Sequence, residues 1–196
     1  MNDYVMGLDL GKRVDPTAIA VLERIVPSKQ FEWSPHSAPR PADSEDRYAV
    51  RHLERIPLGT SYPDVVERVR DLTRRPEVAG RLTLVVDATG GGQVVMDMLR
   101  RADLDCPVVE VVVTDGLKAH LKNGVWYVPK VNLVTALQVM VANGLISFGV
   151  DVPETRRLVD ELAGLRMTKG GGWKDAGHDD LAVAVCLASW RASRFG

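Results

Sequence analysis

The stretch Gly177-His178-Asp179-Asp180-Leu181-Ala182-Val183-Ala184-Val185-Cys186-Leu187-Ala188 decides how the rest of the chain is read. A histidine and two adjacent carboxylates open a segment that then runs almost wholly apolar through Trp190. The run is too long for an ordinary strand and rich in Leu and Ala, which predicts a buried helix. Asp179 or Asp180 stands at its positive end, where capping and the macrodipole favour an anion. One aspartate suffices as a cap. The adjacent pair points to a metal site, with simple N-capping by one Asp as the alternative.

Two further aspartates tip that choice. Tyr4-Val5-Met6-Gly7-Leu8-Asp9-Leu10-Gly11 reads as a strand ending in a glycine turn, and Asp9 interrupts its apolar run. A carboxylate there is costly unless it is paired, hydrogen-bonded or bound to a cation. Leu82-Thr83-Leu84-Val85-Val86-Asp87 is a second apolar strand ending in aspartate. Gly90-Gly91-Gly92 follows it, turning the backbone tightly into a helix with Val94, Val95, Met98 and Leu99 expected to face inward. Such a strand, loop and helix form a βα unit buried on both faces. If the two strands are neighbours, Asp9 and Asp87 lie side by side, and the terminal helix brings the third acidic position across them.

The remaining elements fill out one domain spanning residues 1–196. Thr17 to Glu23 is predicted to pair with the first strand as an antiparallel hairpin, and Tyr48 to Ile56 as a third strand. Pro27 to Asp46, with Pro35, Pro39 and Pro41, reads as an exposed loop. Pro63 opens a helix, Val108 to Val113 forms another both-faces-buried strand, and helices follow at Val131 to Asn143 and from Pro153. The fold class is thus α/β, a mixed sheet flanked by helices.

Two segments lack acidic residues. Leu117 to Lys130 carries Lys118, His120, Lys122 and Lys130 with Trp126 and Tyr127, and its Asn123-Gly124 turn predicts a projecting hairpin or loop. Arg166 to Lys174 carries Lys169 and Lys174 around three glycines. Lys118, Lys122, Lys130, Lys169 and Lys174 are candidate phosphate contacts, giving salt-dependent binding without sequence preference. Solvated loops are the plain alternative, as hairpin packing is for Trp126 and Tyr127 against base stacking.

Composition narrows the classes. Hydrophobic content is 45%, charged content 26% and net charge −1, ordinary for a soluble globular domain and against a uniformly basic surface. No apolar run reaches membrane-span length, and the N-terminus shows no signal pattern. The two cysteines, Cys106 and Cys186, match no metal spacing and fit a reduced cytoplasmic protein. Gly7 to Lys12 fails the phosphate-loop pattern, being one residue short with Arg13 where Ser or Thr is needed.

The carboxylates supply hard oxygen ligands, which suit Mg²⁺ or Mn²⁺. Two such ions about 4 Å apart activate water and steady the leaving oxygen in phosphodiester cleavage. The order of the elements resembles the ribonuclease H-like superfamily, and more specifically the C-terminal nuclease domain of the tailed-bacteriophage large terminase subunit. The resemblance rests on Gly7-Leu8-Asp9-Leu10-Gly11 with Asp15-Pro16-Thr17-Ala18, then Val86-Asp87-Ala88-Thr89-Gly90-Gly91-Gly92. It continues through Val128-Pro129-Lys130 and closes on Gly177-His178-Asp179-Asp180-Leu181.

The resemblance implies an antiparallel first three strands followed by parallel ones. It also implies Asp9, Asp87 and the Asp179/Asp180 pair as catalytic ligands of two divalent cations, Mg²⁺ or Mn²⁺. Asp179 is favoured as the direct ligand, with Asp180 a second ligand or a supporting group. His178 either orients water or Asp179 at the site, or is structural. The implied activity is cutting double-stranded DNA concatemers during viral genome packaging in the cytoplasm of the infected host. Partners would be the terminase ATPase domain, the small terminase subunit and the portal. With no phosphate loop, no nucleotide cofactor or ATP hydrolysis is expected. A Holliday-junction resolvase of the same superfamily is one alternative, although that group usually carries glutamate where this chain has Asp87. An actin-like lobe needs a much longer chain. A silent DNA-binding or packaging module is the remaining possibility.

Overall fold

The computed structural model describes residues 3–11, 15–26, 46–90, 92–167, 173–174 and 179–194, with backbone alone at 166–167 and 173–174. Strands β1 (Tyr4–Asp9), β2 (Thr17–Ile25) and β3 (Arg47–Ile56) form an antiparallel meander. Helix α1 (Tyr62–Thr73) starts at Ser61, whose side chain accepts from the Asp64 N–H, and carries Pro63 in its first turn. Strand β4 (Leu82–Asp87) then enters beside β1, parallel to it, and helix α2 (Gln93–Arg101) returns to β5 (Val108–Thr114), parallel to β4.

Strand β6 (His120–Lys122) turns through Asn123 and Gly124, both at positive φ, into β7 (Val125–Pro129). The hairpin predicted to project is instead half absorbed, because β7 runs parallel to β5 and extends the sheet while β6 forms its edge. Helix α3 (Lys130–Ala142), the short strand β8 (Ile146–Phe148) parallel to β3, and helix α4 (Thr155–Gly164) follow. A two-stranded ribbon of β9 (Arg166–Met167) and β10 (Trp173–Lys174) precedes helix α5 (Asp180–Ala192). The eight-stranded sheet has the order β6-β7-β5-β4-β1-β2-β3-β8.

Strand alternation divides the core into two layers. Met6, Leu8, Leu84 and Val86 pack with Val65, Val69, Val95, Met96 and Leu99 of α1 and α2. Here the helix register differs from expectation: Met96 is buried and Val94 is 57% exposed. Val5, Ala18, Val85, Val111 and Val128 pack on the opposite face against α3, α4 and α5. Helix α5 is buried almost all round, as its apolar run requires. Among the described residues no helix is long and apolar enough to cross a membrane. The predicted loop over 27–45 lies outside the described residues.

Candidate metal centre

Asp9 and Asp87 are lateral partners in the parallel β1–β4 ladder. The same row continues through Ala18 of β2 to Arg55 of β3 on one side, and to Val111 of β5 on the other. Residues in register share a face of the sheet. Asp9 shares its face with Val5 and Asp87 with Val85, so both carboxylates point to the α5 side at the carboxyl ends of parallel strands. The crevice beyond those ends is where open α/β sheets bind ligands.

Local structure fixes Asp87 further. Its Oδ1 accepts the Thr89 N–H at 2.8 Å, and Thr89 Oγ1 accepts the Val113 N–H at 2.8 Å. The turn is tight: Gly90 has φ of +75°, and a Cβ on Gly92 would sit 2.6 Å from the Ala88 Cα. One oxygen of Asp87 is thus held by backbone, in a side chain that lines the cavity described below.

Helix α5 reaches this row because of Gly7. A Cβ at Gly7 would lie 1.9 Å from the Ala184 carbonyl oxygen, so only glycine lets the helix lie this close to β1. Two residues further along the strand, Asp9 meets the helix start. Asp179 is the N-cap residue, yet its side chain makes no capping bond. Its Oδ2 instead accepts from Lys130 Nζ at 3.1 Å. Asp180 is buried and ion-paired with Arg55, and Glu161 Oε1 lies 3.8 Å from the same guanidinium. Simple capping by one Asp therefore does not account for the pair.

Asp9, Asp87, Asp179, Lys130, Val113, Leu165 and Cys186 line one cavity of about 190 Å³. Asp9 is half-buried at the edge of that cavity. Burial holds its pKa well above the ordinary carboxylate value; Asp87, Asp180 and Asp179 push it further, and Lys130 partly offsets them. Burial also pushes the Cys186 thiol up to about 12, so it stays neutral rather than offering a thiolate. Lys130 opens α3, where the helix dipole disfavours a cation. Its ammonium is already held by a cavity carboxylate, and the donors are hard oxygens deficient in positive charge. These features fit Mg²⁺ or Mn²⁺. Among the described residues no group of three or more His, Cys, Asp or Glu side chains is placed to hold a metal ion together. An open site is what Mg²⁺ commonly uses, with one or two carboxylates and the remaining positions left to water and phosphate.

No family model matches the chain, and no curated protein matches it in sequence. Solved structures do. The large terminase nuclease from thermophilic phage G20c with bound magnesium aligns at TM-score 0.60 and 22% identity, over 95% of this chain and 79% of that one. A mutant nuclease domain of the large terminase subunit gp2 of bacterial virus Sf6, with manganese, gives 0.62 at 12% identity over 96% and 88%. This chain has the ribonuclease H-like terminase nuclease fold. The manganese-soaked human cytomegalovirus terminase nuclease domain also shares it, at TM-score 0.54 and 13% identity over 95% and 81%.

On this terminase-type fold, Asp9, Asp87 and Asp179 come together at one cavity, and Asp180 stands beside them facing Arg55. Lys130 belongs to the cavity rather than to an outlying basic loop. Lys118 and Lys122 are exposed at and before β6, outside the cavity lining. His178 and Lys169 lie outside the described residues, as does the side chain of Lys174. Trp126 packs edge-on against Trp190 at 5.5 Å, with Arg194 over both rings, and Tyr127 stacks on His120 at 5.1 Å. Trp126 thus packs against α5, and Tyr127 packs within the hairpin. Sequence reasoning missed Arg55 and Glu161. The available signal for Arg55 was its register, opposite Ala18 and hence in the row of Asp9.

Proposed function

We propose that this chain is a metal-dependent endonuclease that hydrolyses phosphodiester bonds of double-stranded DNA, acting as the nuclease of a large terminase in viral genome packaging. The observation that carries the reading is the lateral pair Asp9–Asp87 with Asp179 across the same cavity. Metal-bound neighbours on the same fold, with magnesium in one and manganese in another, support it.

Asp9 and Asp87 would hold divalent cations from the sheet, and Asp179 from the helix, with Asp180 behind it on Arg55. Divalent cations held there, two Mg²⁺ or Mn²⁺ in this reading, would supply charge stabilisation to an in-line displacement at phosphorus. The chain does the rest. Thr89 fixes the Asp87 carboxylate, Gly7 sets the distance of the helix start, and Lys130 orients Asp179 while offering a positive charge to a phosphate oxygen. The apolar wall of Val113, Leu133 and Leu165 limits bulk water around the reacting group. Lys118 and Lys122 reach DNA phosphates from the sheet edge, adding salt-dependent affinity without base readout. The setting is the cytoplasm of an infected bacterium. The partners are the packaging ATPase domain, the small terminase subunit and the portal, which restrain cutting until packaging requires it.

The test is cleavage of supercoiled plasmid by the purified chain with Mn²⁺, Mg²⁺ or EDTA, beside Asp87→Ala. Metal-dependent nicking and linearisation that vanish in the variant are expected. Cleavage unaffected by EDTA or by Asp87→Ala would sink the reading.

A further inference from the structure

Helix α5 begins in an unusual way. The first amides of a helix need acceptors from outside its own ladder, and the N-cap side chain ordinarily serves those of its second and third residues. Asp179 occupies the cap position and does not serve them. The Ala182 N–H, third in the helix, donates instead to Glu161 Oε2 at 2.9 Å. Glu161 belongs to α4, 21 positions earlier in the chain, and its side chain is only 6% exposed.

We infer that Glu161 is a positioning residue that caps α5 from α4, with Arg55 steadying Asp180, so that neither aspartate is used up in starting the helix. The inference rests on the metal-centre reading proposed above. Arg55 stands in the lateral row of Asp9 and pairs with Asp180, while Glu161 Oε1 makes no hydrogen bond and faces the same guanidinium at 3.8 Å. Three elements, β3, α4 and α5, are therefore tied together at the helix start. Burying this trio contributes little net stability, since apolar side chains of like volume commonly do as well. What the trio does provide is geometry. Without Glu161, the uncapped amides would draw on the acceptor that ordinarily serves them, the carboxylate of the N-cap residue Asp179, and turn it away from the cavity and from Lys130.

The test uses the full chain, with Glu161→Met removing the acceptor at similar volume and Glu161→Gln keeping a carbonyl acceptor. Mn²⁺ affinity is read by calorimetry, amide exchange at Leu181 and Ala182 by NMR, and DNA cleavage as separate kcat and KM. Glu161→Met is expected to weaken Mn²⁺ binding roughly 10–100-fold, as losses of groups that orient metal ligands do. It should lower kcat with KM for DNA little changed, and speed exchange at Ala182. Glu161→Gln should restore protection and most of the affinity. A folded Glu161→Met with wild-type Mn²⁺ affinity would overturn the inference, as would Glu161→Gln proving as damaging as Glu161→Met. Rapid exchange of the Ala182 amide in the unsubstituted chain overturns the cap whether or not the variants fold. If the wild-type chain bound Mn²⁺ no better than Asp87→Ala, the metal reading would fail and take the positioning role with it, while amide protection would still report the cap.

Discussion

Strand β1 shows one set of side chains to each face of the sheet, and the two faces are built to different ends. Toward α1 and α2 it presents Tyr4, Met6 and Leu8, which meet Ile19, Leu84 and Val86 in a core of apolar contacts. Toward α5 it presents Val5, Gly7 and Asp9: one core residue, one position where nothing but glycine fits, and one half-buried carboxylate set beside others. The first face is arranged for packing alone. The second gives up some stability to bring like charges together, a local conflict of the kind expected where a site has a task other than folding.

The two faces differ most at the carboxylates. Asp87→Ala should lower metal-dependent cleavage by more than about a hundredfold, the upper end for groups that merely support a metal ligand. Circular dichroism should meanwhile show an intact fold. Loss of folding instead would mean that the α5 face needs its carboxylates for structure. On the opposite face, Leu84→Ala should do the reverse. It removes a fully buried side chain and should destabilise by about 2–5 kcal/mol in denaturant titration. Activity per folded molecule should hardly change.

Gly7→Ala joins the two effects. Its Cβ meets backbone rather than a movable side chain, so α5 must shift outward, at about 1–3 kcal/mol for overpacking. Cleavage should fall further than stability alone explains, because the helix start carries Asp179. A Gly7→Ala variant of normal activity would show that the close approach of α5 is dispensable.

The smallest effect concerns pH. The raised pKa of Asp9 means that the unfolded chain releases this proton first. Its contribution is neutral below the unfolded value of about 3.9. Stability is then lost as pH rises from there through the folded pKa. The groups that bear on Asp9 are Asp87, Asp180, Asp179 and Lys130. Asp9→Asn should flatten this part of the stability–pH curve and raise Tm near neutral pH without metal. An unchanged curve would argue that Asp9 is not held against its ionisation.

Several of these features were legible in the chain itself. Strands β1 and β4 were, since each is a continuous apolar run with an aspartate set at its end, and so was α5, whose apolar length excludes a strand. Parallel pairing of β7 with β5 was not, because it joins segments through a long-range ladder that leaves no local period. Strand β8 was too short to show a pattern, being three residues between the turns at Gly144 and Gly149. Glu161 looks like an ordinary solvated charge in sequence, and Arg55 is marked only by its register opposite Ala18; the packing of α4 and β3 against the start of α5 shows what they hold. Lys130 read as a phosphate contact, and its pairing with Asp179 required knowing that α3 and α5 converge.

Whether these carboxylates hold a metal ion is tested by anomalous diffraction from crystals of the chain soaked in Mn²⁺. Scattering density is expected in the cavity between Asp9 and Asp87, within coordination distance of both and of Asp179. Ordered carboxylates with no density between them, in crystals that bind Mn²⁺ elsewhere, would contradict the account.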